Sequence, residues 1–134
     1  PTLILNVDGA SRGNPGPAGA GGVLADEDGE ALETFAVPLG RRTNNEAEYL
    51  ALIEGLKRCA RYAPGRVTVR SDSLLLVKQM RGEFRVKKSE LVKLALEARR
   101  RFPCREVRFE HVPRERNAEA DHLANLGVES SLDS

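Results

Sequence analysis

Hydrophobic and polar positions alternate from Thr2 to Asp8, with Leu3, Leu5 and Val7 on one face and Ile4, Asn6 and Asp8 on the other. That is the period of a half-buried strand, and Asp8 ends it. The next stretch, GASRGNPGPAGAGG, is too rich in Gly and Pro for regular structure at its start and passes into a second strand around Gly22 to Asp26. Asp28-Gly29 is a tight-hairpin signal. Ala31 to Leu39 is the return strand, so three antiparallel strands open the chain. From Asn44 the period becomes helical: Tyr49, Leu52, Ile53, Leu56 and Ala60 form one apolar stripe, stopped by Pro64-Gly65. Val67 to Asp72 is a short strand, and Ser73 to Arg81 a helix packing Leu76, Val77 and Met80, broken by Gly82. Ser89 and Glu90 start a further helix with Leu91, Leu94, Ala95, Ala98 and Phe102 inward, stopped by Pro103. Glu106 to Val112 is a fifth strand, and Asn117 is a candidate N-cap for a last helix burying Ala120, Leu123, Ala124 and Val128. The order β-β-β-α-β-α-α-β-α predicts an α/β fold: one five-stranded mixed sheet, its first three strands antiparallel, flanked by helices. One domain is expected over residues 1–129, with 130–134 as a frayed tail.

Composition narrows the class. At 134 residues, 40% hydrophobic and 31% charged, the chain falls in the globular range rather than the disordered or disulfide-scaffold ones. No apolar run approaches the ~20 residues that span a bilayer, and no basic segment followed by a hydrophobic stretch opens the sequence. A soluble, cytoplasmic monomer with no membrane partner is expected. Cys59 and Cys104 lack ligand spacing and neighbouring histidines, which argues against structural zinc. They read as thiols, with a disulfide as the alternative in a hyperthermophile's cytosol. Net charge is +1, so bulk charge alone announces no polyanionic partner.

The chemistry lies in the acids. Asp8 and Asp72 both stand at the carboxyl ends of strands, where ligands collect in open sheets. Either one alone is ordinary turn chemistry. Glu46 and Glu48 open the long helix; Glu46 aligns with the solvated face of Leu50, Glu54, Lys57 and Arg61, whereas Glu48 sits one turn before Leu52 at the edge of the buried stripe. Glu48 is therefore the one aimed inward. Asp121 holds a similar edge position on the last helix. Four carboxylates brought together would repel and raise one another's pKa values unless a cation were bound. Oxygen-only donors suit Mg²⁺ or Mn²⁺, and two such ions sharing carboxylates are the usual device for in-line displacement at phosphorus.

The segments VDGASRGNPGPAGAG, TNNEAEYLALIEGL, SDSLLLVKQM and HVPRERNAEADHLAN, in this order and over nearly the whole chain, resemble the motifs of type 1 ribonuclease H. The resemblance implies the ribonuclease H-like fold and makes Asp8, Glu48, Asp72 and Asp121 the catalytic, metal-binding acids. It implies two Mg²⁺ ions, with Mn²⁺ as a substitute. Asp8 would bridge the ions, Asp121 would help hold the one that activates water, and Glu48 and Asp72 the one at the leaving 3′ oxygen. The implied activity is endonucleolytic hydrolysis of the RNA strand of RNA/DNA hybrids, leaving 5′-phosphate and 3′-hydroxyl ends. Gly9, Asn14, Asn44 and Asn45 match substrate-contacting positions near the minor groove, where a 2′-hydroxyl distinguishes RNA, and Thr43 a position that holds a DNA phosphate. Helix capping is the plainer reading of Asn44 and Asn45.

Two departures from the family pattern stand out. The histidine that many relatives carry in a flexible loop before the last acid has no counterpart in the short PRER segment, where Arg114 is the candidate substitute and His111 a local packing residue. The stretch Arg81 to Lys88 is too short for the extra basic helix of some relatives. Lys78, Arg81, Arg85, Lys87 and Lys88 read either as phosphate contacts or as a solvated face. Setting the four metal-binding acids aside leaves 21 basic against 16 acidic residues, a balance of +5 that suits a polyanion better than +1 does. Two alternatives stay open: a related metal-dependent nuclease that also cuts double-stranded RNA, and a catalytically silent hybrid-binding module.

Overall fold

In the computed structural model, which describes residues 1–133, strands β1 (Thr2–Ser11), β2 (Gly16–Asp26), β3 (Ala31–Arg42), β4 (Arg66–Ser71) and β5 (Glu106–His111) form one sheet in the order β3-β2-β1-β4-β5. The first three pair antiparallel, and β4 runs parallel to both β1 and β5. Helices α1 (Asn44–Cys59), α2 (Leu74–Met80), α3 (Ser89–Arg100) and α4 (Ala118–Leu132) complete the chain among the described residues. Strand alternation sorts the faces. Leu3, Leu5 and Val7 join Leu52, Leu56, Val67 and Val69 in the core beneath α1, which α3 flanks. The opposite face of β1, β2 and β3 is covered by α4. Each fully buried Leu or Val contributes roughly 1.5–3 kcal/mol relative to exposure, so the Leu5–Leu24–Leu52–Leu56 group anchors the element that carries Glu48.

The strands of the hairpin meander are longer than the sequence pattern indicates. β1 continues past Asp8 to Ser11, and β2 starts at Gly16 rather than near Gly22. The glycines there serve close packing instead of disorder: a Cβ on Gly19 would lie 2.3 Å from the Ala124 carbonyl oxygen, and one on Gly21 2.3 Å from the Ala124 nitrogen. Backbone of α4 thus lies directly on backbone of β2. β3 likewise runs beyond Leu39 to Arg42, across a register shift that pairs Gly19 with Pro38 but Ala18 with Gly40. This leaves Leu39 as a bulge residue. Its amide is satisfied from α4: the Ser131 hydroxyl accepts from the Leu39 and Gly40 amides at 3.2 and 3.1 Å and donates to the Ala18 carbonyl at 2.6 Å. Helix α4 accordingly continues through Leu132, over the segment expected to fray, while Ser134 lies outside the described residues.

Smaller differences lie at element ends. Helix α1 stops at Cys59, followed by a 3-10 turn over Ala60–Tyr62 and Ala63 at φ 47°. Residues Arg114–Asn117 form a 3-10 turn before α4. Asn117 occupies the N-cap position of α4, yet its side chain makes no capping hydrogen bond. Cys59 is buried and Cys104 half-buried, both as free thiols, and burial pushes the Cys59 thiol up to about 12. No helix among the described residues is long and apolar enough to cross a membrane.

Candidate metal centre

β1 and β4 pair in parallel up to Asn6 and Arg70, and the same register carried onward sets Asp8 opposite Asp72. Pairing ends there. β1 goes on with β2 alone, which opens the sheet beyond the carboxyl end of β4, the place where open α/β sheets bind ligands. Asp8 is not at the end of its strand, as the sequence pattern indicated, but two residues beyond the end of its pairing with β4. On that side it shares a face with Asn6, the face that α4 covers.

Glu48 reaches the same gap from α1. The helix is started by Thr43, whose hydroxyl accepts from the Glu46 amide at 3.1 Å while the Glu46 carboxylate accepts from the Thr43 amide at 2.8 Å. This reciprocal cap sets the helix phase. Glu46 stays on the half-exposed side and Glu48 is 6% exposed. Gly9 makes the approach possible: a Cβ there would lie 2.2 to 2.4 Å from the Ala47 carbonyl group and the Glu48 nitrogen. At that separation the Gly9 N–H donates a short hydrogen bond to the Glu48 carboxylate.

Oxygens of Asp8, Glu48 and Asp72 all lie within 4.8 Å of one another. Asp121, half-buried on the first turn of α4, reaches the Asp8 carboxyl group, and Asn125 donates to the Asp121 carbonyl at 2.9 Å. The electrostatics follow from this crowding. Burial, then the charges of Glu48 and Asp72, push the Asp8 carboxyl far above the ordinary carboxylate range. Burial also raises Glu48, against the opposing Gly9 hydrogen bond. Asp72 is raised chiefly by burial, with the Arg114 guanidinium and the Asn117 amide pulling it back. A protein gains nothing structural from such a cluster; three or four hard oxygen donors without sulfur or imidazole fit Mg²⁺ or Mn²⁺, whose charge would reverse those shifts.

The polar residues named from the sequence divide into two groups. The Asn14 side chain accepts from the Asn44 amide at 3.0 Å, tying the β1–β2 turn to the start of α1. Asn14, Thr43 and Asn45 line a hollow of about 120 Å³ with Lys88 at its rim. Arg114 lies on the 3-10 turn, exposed, with its charge felt at Asp72. His111 hydrogen-bonds locally through Nε2 to the Asp72 carbonyl at 3.2 Å. Of the basic stretch, Arg81 donates to the Phe109 carbonyl at 2.9 Å and Lys78 stacks over the Phe84 ring at 5.1 Å. Arg85, Lys87 and Lys88 line a groove of about 520 Å³ beside Asn45 and Phe84. From the sequence, Asn117 is only a candidate helix cap and Asn6 only a strand-face residue, and neither is named for the site. The available signal was their spacing, Asn6 two residues before Asp8 on one strand face and Asn117 four residues before Asp121.

Comparison with known proteins places this geometry. The family model described as reverse transcriptase-like matches residues 6–127. The N-terminal RNase H domain of a Mycobacterium tuberculosis protein is 40% identical, with 98% of this chain and 96% of that one covered and a TM-score of 0.94. RNase H1 of the halophilic archaeon Halobacterium salinarum is 37% identical over 97% of this chain and 99% of that one, with a TM-score of 0.93. The chain belongs to the ribonuclease H family. A third ribonuclease H structure, LC11-RNase H1 in complex with an RNA/DNA hybrid, is 40% identical, covers 97% of this chain and 99% of that one, and has a TM-score of 0.87. The chain spans 37% of the length of the full M. tuberculosis relative, described as a bifunctional protein. Its sheet order and its first three antiparallel strands are those expected of a ribonuclease H.

Proposed function

We propose that this chain is an endonuclease that hydrolyses the RNA strand of RNA/DNA hybrids with two Mg²⁺ ions, Mn²⁺ substituting, and leaves 5′-phosphate and 3′-hydroxyl ends. The observation that carries the proposal is the meeting of Asp8, Glu48 and Asp72, from three different elements, within 4.8 Å, in a ribonuclease H-family chain. Asp8, Glu48, Asp72 and Asp121 would hold the ions. When bound, Mg²⁺ supplies Lewis acidity toward water and toward the phosphate oxygens. The hydrolysis forms one P–O bond to the water oxygen and breaks the bond to the 3′ oxygen, which leaves as a hydroxyl after taking up a proton.

The remaining residues orient the duplex. Gly9 lies against Glu48, and Asn14, Asn44 and Asn45 present backbone and amide groups around the start of the same helix, suited to a minor groove carrying 2′-hydroxyls. The Thr43 hydroxyl accepts in the helix cap and keeps its own hydrogen to donate to a phosphate oxygen, with Lys88 lining the same hollow. Arg114 holds phosphate oxygens through its charge and N–H donors and relays no proton, because a guanidinium does not give one up near neutral pH. Two free thiols suit a reducing compartment such as the cytoplasm.

The test is a panel of end-labelled hybrid, double-stranded RNA and double-stranded DNA with Mg²⁺, for the parent and for Asp72→Asn. Cleavage confined to the RNA strand of the hybrid and lost in Asp72→Asn supports the proposal. Comparable cutting of double-stranded RNA points to the broader nuclease. Hybrid binding without cleavage by the parent points to the silent module.

A further inference from the structure

We propose that Asn117 is a positioning residue for the metal centre, a single buried amide that fixes Asp72 and the start of α4 against β1. The inference rests on the nuclease reading above. Asn117 is 1% exposed, the most enclosed polar side chain near the acids together with Ser71. Its Nδ2 donates to the Val7 carbonyl at 2.9 Å, and its Oδ1 accepts from the Asn6 amide at 3.1 Å. The same amide lies beside the Asp72 carboxylate and favours its charged form. The amide thus donates on one side and accepts on the other, and the orientation is not interchangeable. Val7 carbonyl and Asp72 carboxylate can only accept, whereas the Asn6 amide group facing Oδ1 donates.

The consequence is geometric. Val7 immediately precedes Asp8, Asn6 lies one residue further back, Asp72 belongs to the loop after β4, and Asp121 follows Asn117 by one turn of α4. The amide thereby sits at the point common to three of the four acids. It also explains why the N-cap of α4 is left without a side-chain cap, since the group that could provide it is turned to the sheet. Polar groups that orient metal-binding carboxylates typically cost 10- to 100-fold in metal affinity or activity when removed.

Mn²⁺ binding measured by calorimetry, without substrate, tests the inference alongside melting temperature and the Mg²⁺ dependence of hybrid cleavage. In Asn117→Ala, Mn²⁺ affinity is expected to fall about 10- to 100-fold, the Mg²⁺ requirement to rise in parallel, and KM for the hybrid to stay near parental. On an Asp72→Asn background, Asn117→Ala should cost less additional affinity, because part of its effect runs through the Asp72 carboxylate. A lowered melting temperature with parental Mn²⁺ affinity and Mg²⁺ requirement would overturn the inference, as would full additivity with Asp72→Asn. Should Asn117→Ala fold poorly, Asn6→Ala leaves the bond to Val7 in place: a few-fold weaker Mn²⁺ binding supports the inference, and unchanged binding overturns it. A parent that binds Mn²⁺ yet does not cut hybrids would count against the proposed function alone, and a cutting parent indifferent to both asparagine variants against this inference alone.

Discussion

Gly9→Ala tests the link between packing and the site most directly. The added Cβ would meet the Ala47 carbonyl carbon at 2.2 Å, where real Cβ contacts begin near 3.0 Å, so α1 and β1 must separate by at least 0.8 Å. The obstacle is helix backbone, not the end of a flexible side chain, and cannot rotate away. Overpacking of this kind costs about 1–3 kcal/mol, which at roughly 4 °C per kcal/mol for a chain this size predicts a fall in Tm of about 4–12 °C. The rate should suffer more than the fold. Glu48 rides on the displaced helix and takes its hydrogen bond from the Gly9 amide itself. A misplacement near 1 Å can cost about 100-fold in turnover. Hybrid cleavage under saturating Mg²⁺, with circular dichroism melts of the same samples, reads both effects. Gly65→Ala is the control, because a Cβ there has nothing nearer than 3.8 Å. Parental turnover in Gly9→Ala, or equal losses in Gly65→Ala, would show that the contact between β1 and α1 does not set the position of Glu48.

Asp72→Asn should lose several kcal/mol of transition-state charge stabilisation, or about 10³-fold in rate or more, while the metal-free protein melts at or above the parental temperature because a repelling charge is gone; a metal-free Tm well below parental would contradict this. Asp8 and Glu48 have raised folded-state pKa values, so their contribution to metal-free stability is complete below the ordinary values of 3.8 and 4.5 and is lost as pH climbs through the raised ones. Melts between about pH 5 and 8 should fall with pH, flatten in Asp8→Asn, and recover with Mg²⁺. Glu46→Gln keeps a side-chain acceptor for the Thr43 amide and should stay within about 0.5 kcal/mol of parent, whereas Glu48→Gln should cripple cleavage; the opposite ranking in a cleavage assay would refute the helix phase. Arg114→Ala should lower turnover about 10- to 100-fold, the worth of one charged hydrogen bond, with Arg114→Lys in between and His111→Ala acting mainly on Tm; kinetics and melts of the three variants check the ranking.

Much of the fold could be seen in the sequence because its apolar positions obey one period at a time. Leu3, Leu5 and Val7 mark a strand face, and Tyr49, Leu52, Ile53 and Leu56 a helical stripe; all seven are buried in the core. The same rule placed Glu48 inward and Glu46 outward, since a side chain's direction follows from helix phase. The Gly-rich stretch between Gly9 and Gly22 escaped because composition there opposes the strand. Gly has weak β-propensity, and only the closeness of α4 to Gly19 and Gly21 explains its selection. The bulge at Leu39 and its closure by Ser131 depend on residues some ninety positions apart, a pairing that no local pattern records.

Asn117 shows the same limit at the site itself. An asparagine one residue ahead of a helix has a local use as a cap, and local reasoning stops there. In the folded chain that use is forfeited, because the 3-10 turn before α4 swings the amide onto β1, where the Val7 carbonyl has no β4 partner once the parallel pairing ends at Asn6. The unpaired carbonyl and the crowded acids therefore have one origin, the parting of β1 from β4. A sheet that stayed paired through Asp8 would satisfy Val7 by itself and leave Asp8 and Asp72 side by side with no opening between them. By parting, it creates both the gap in which four carboxylates can meet a cation and the buried acceptor that draws Asn117 in to hold two of its walls together.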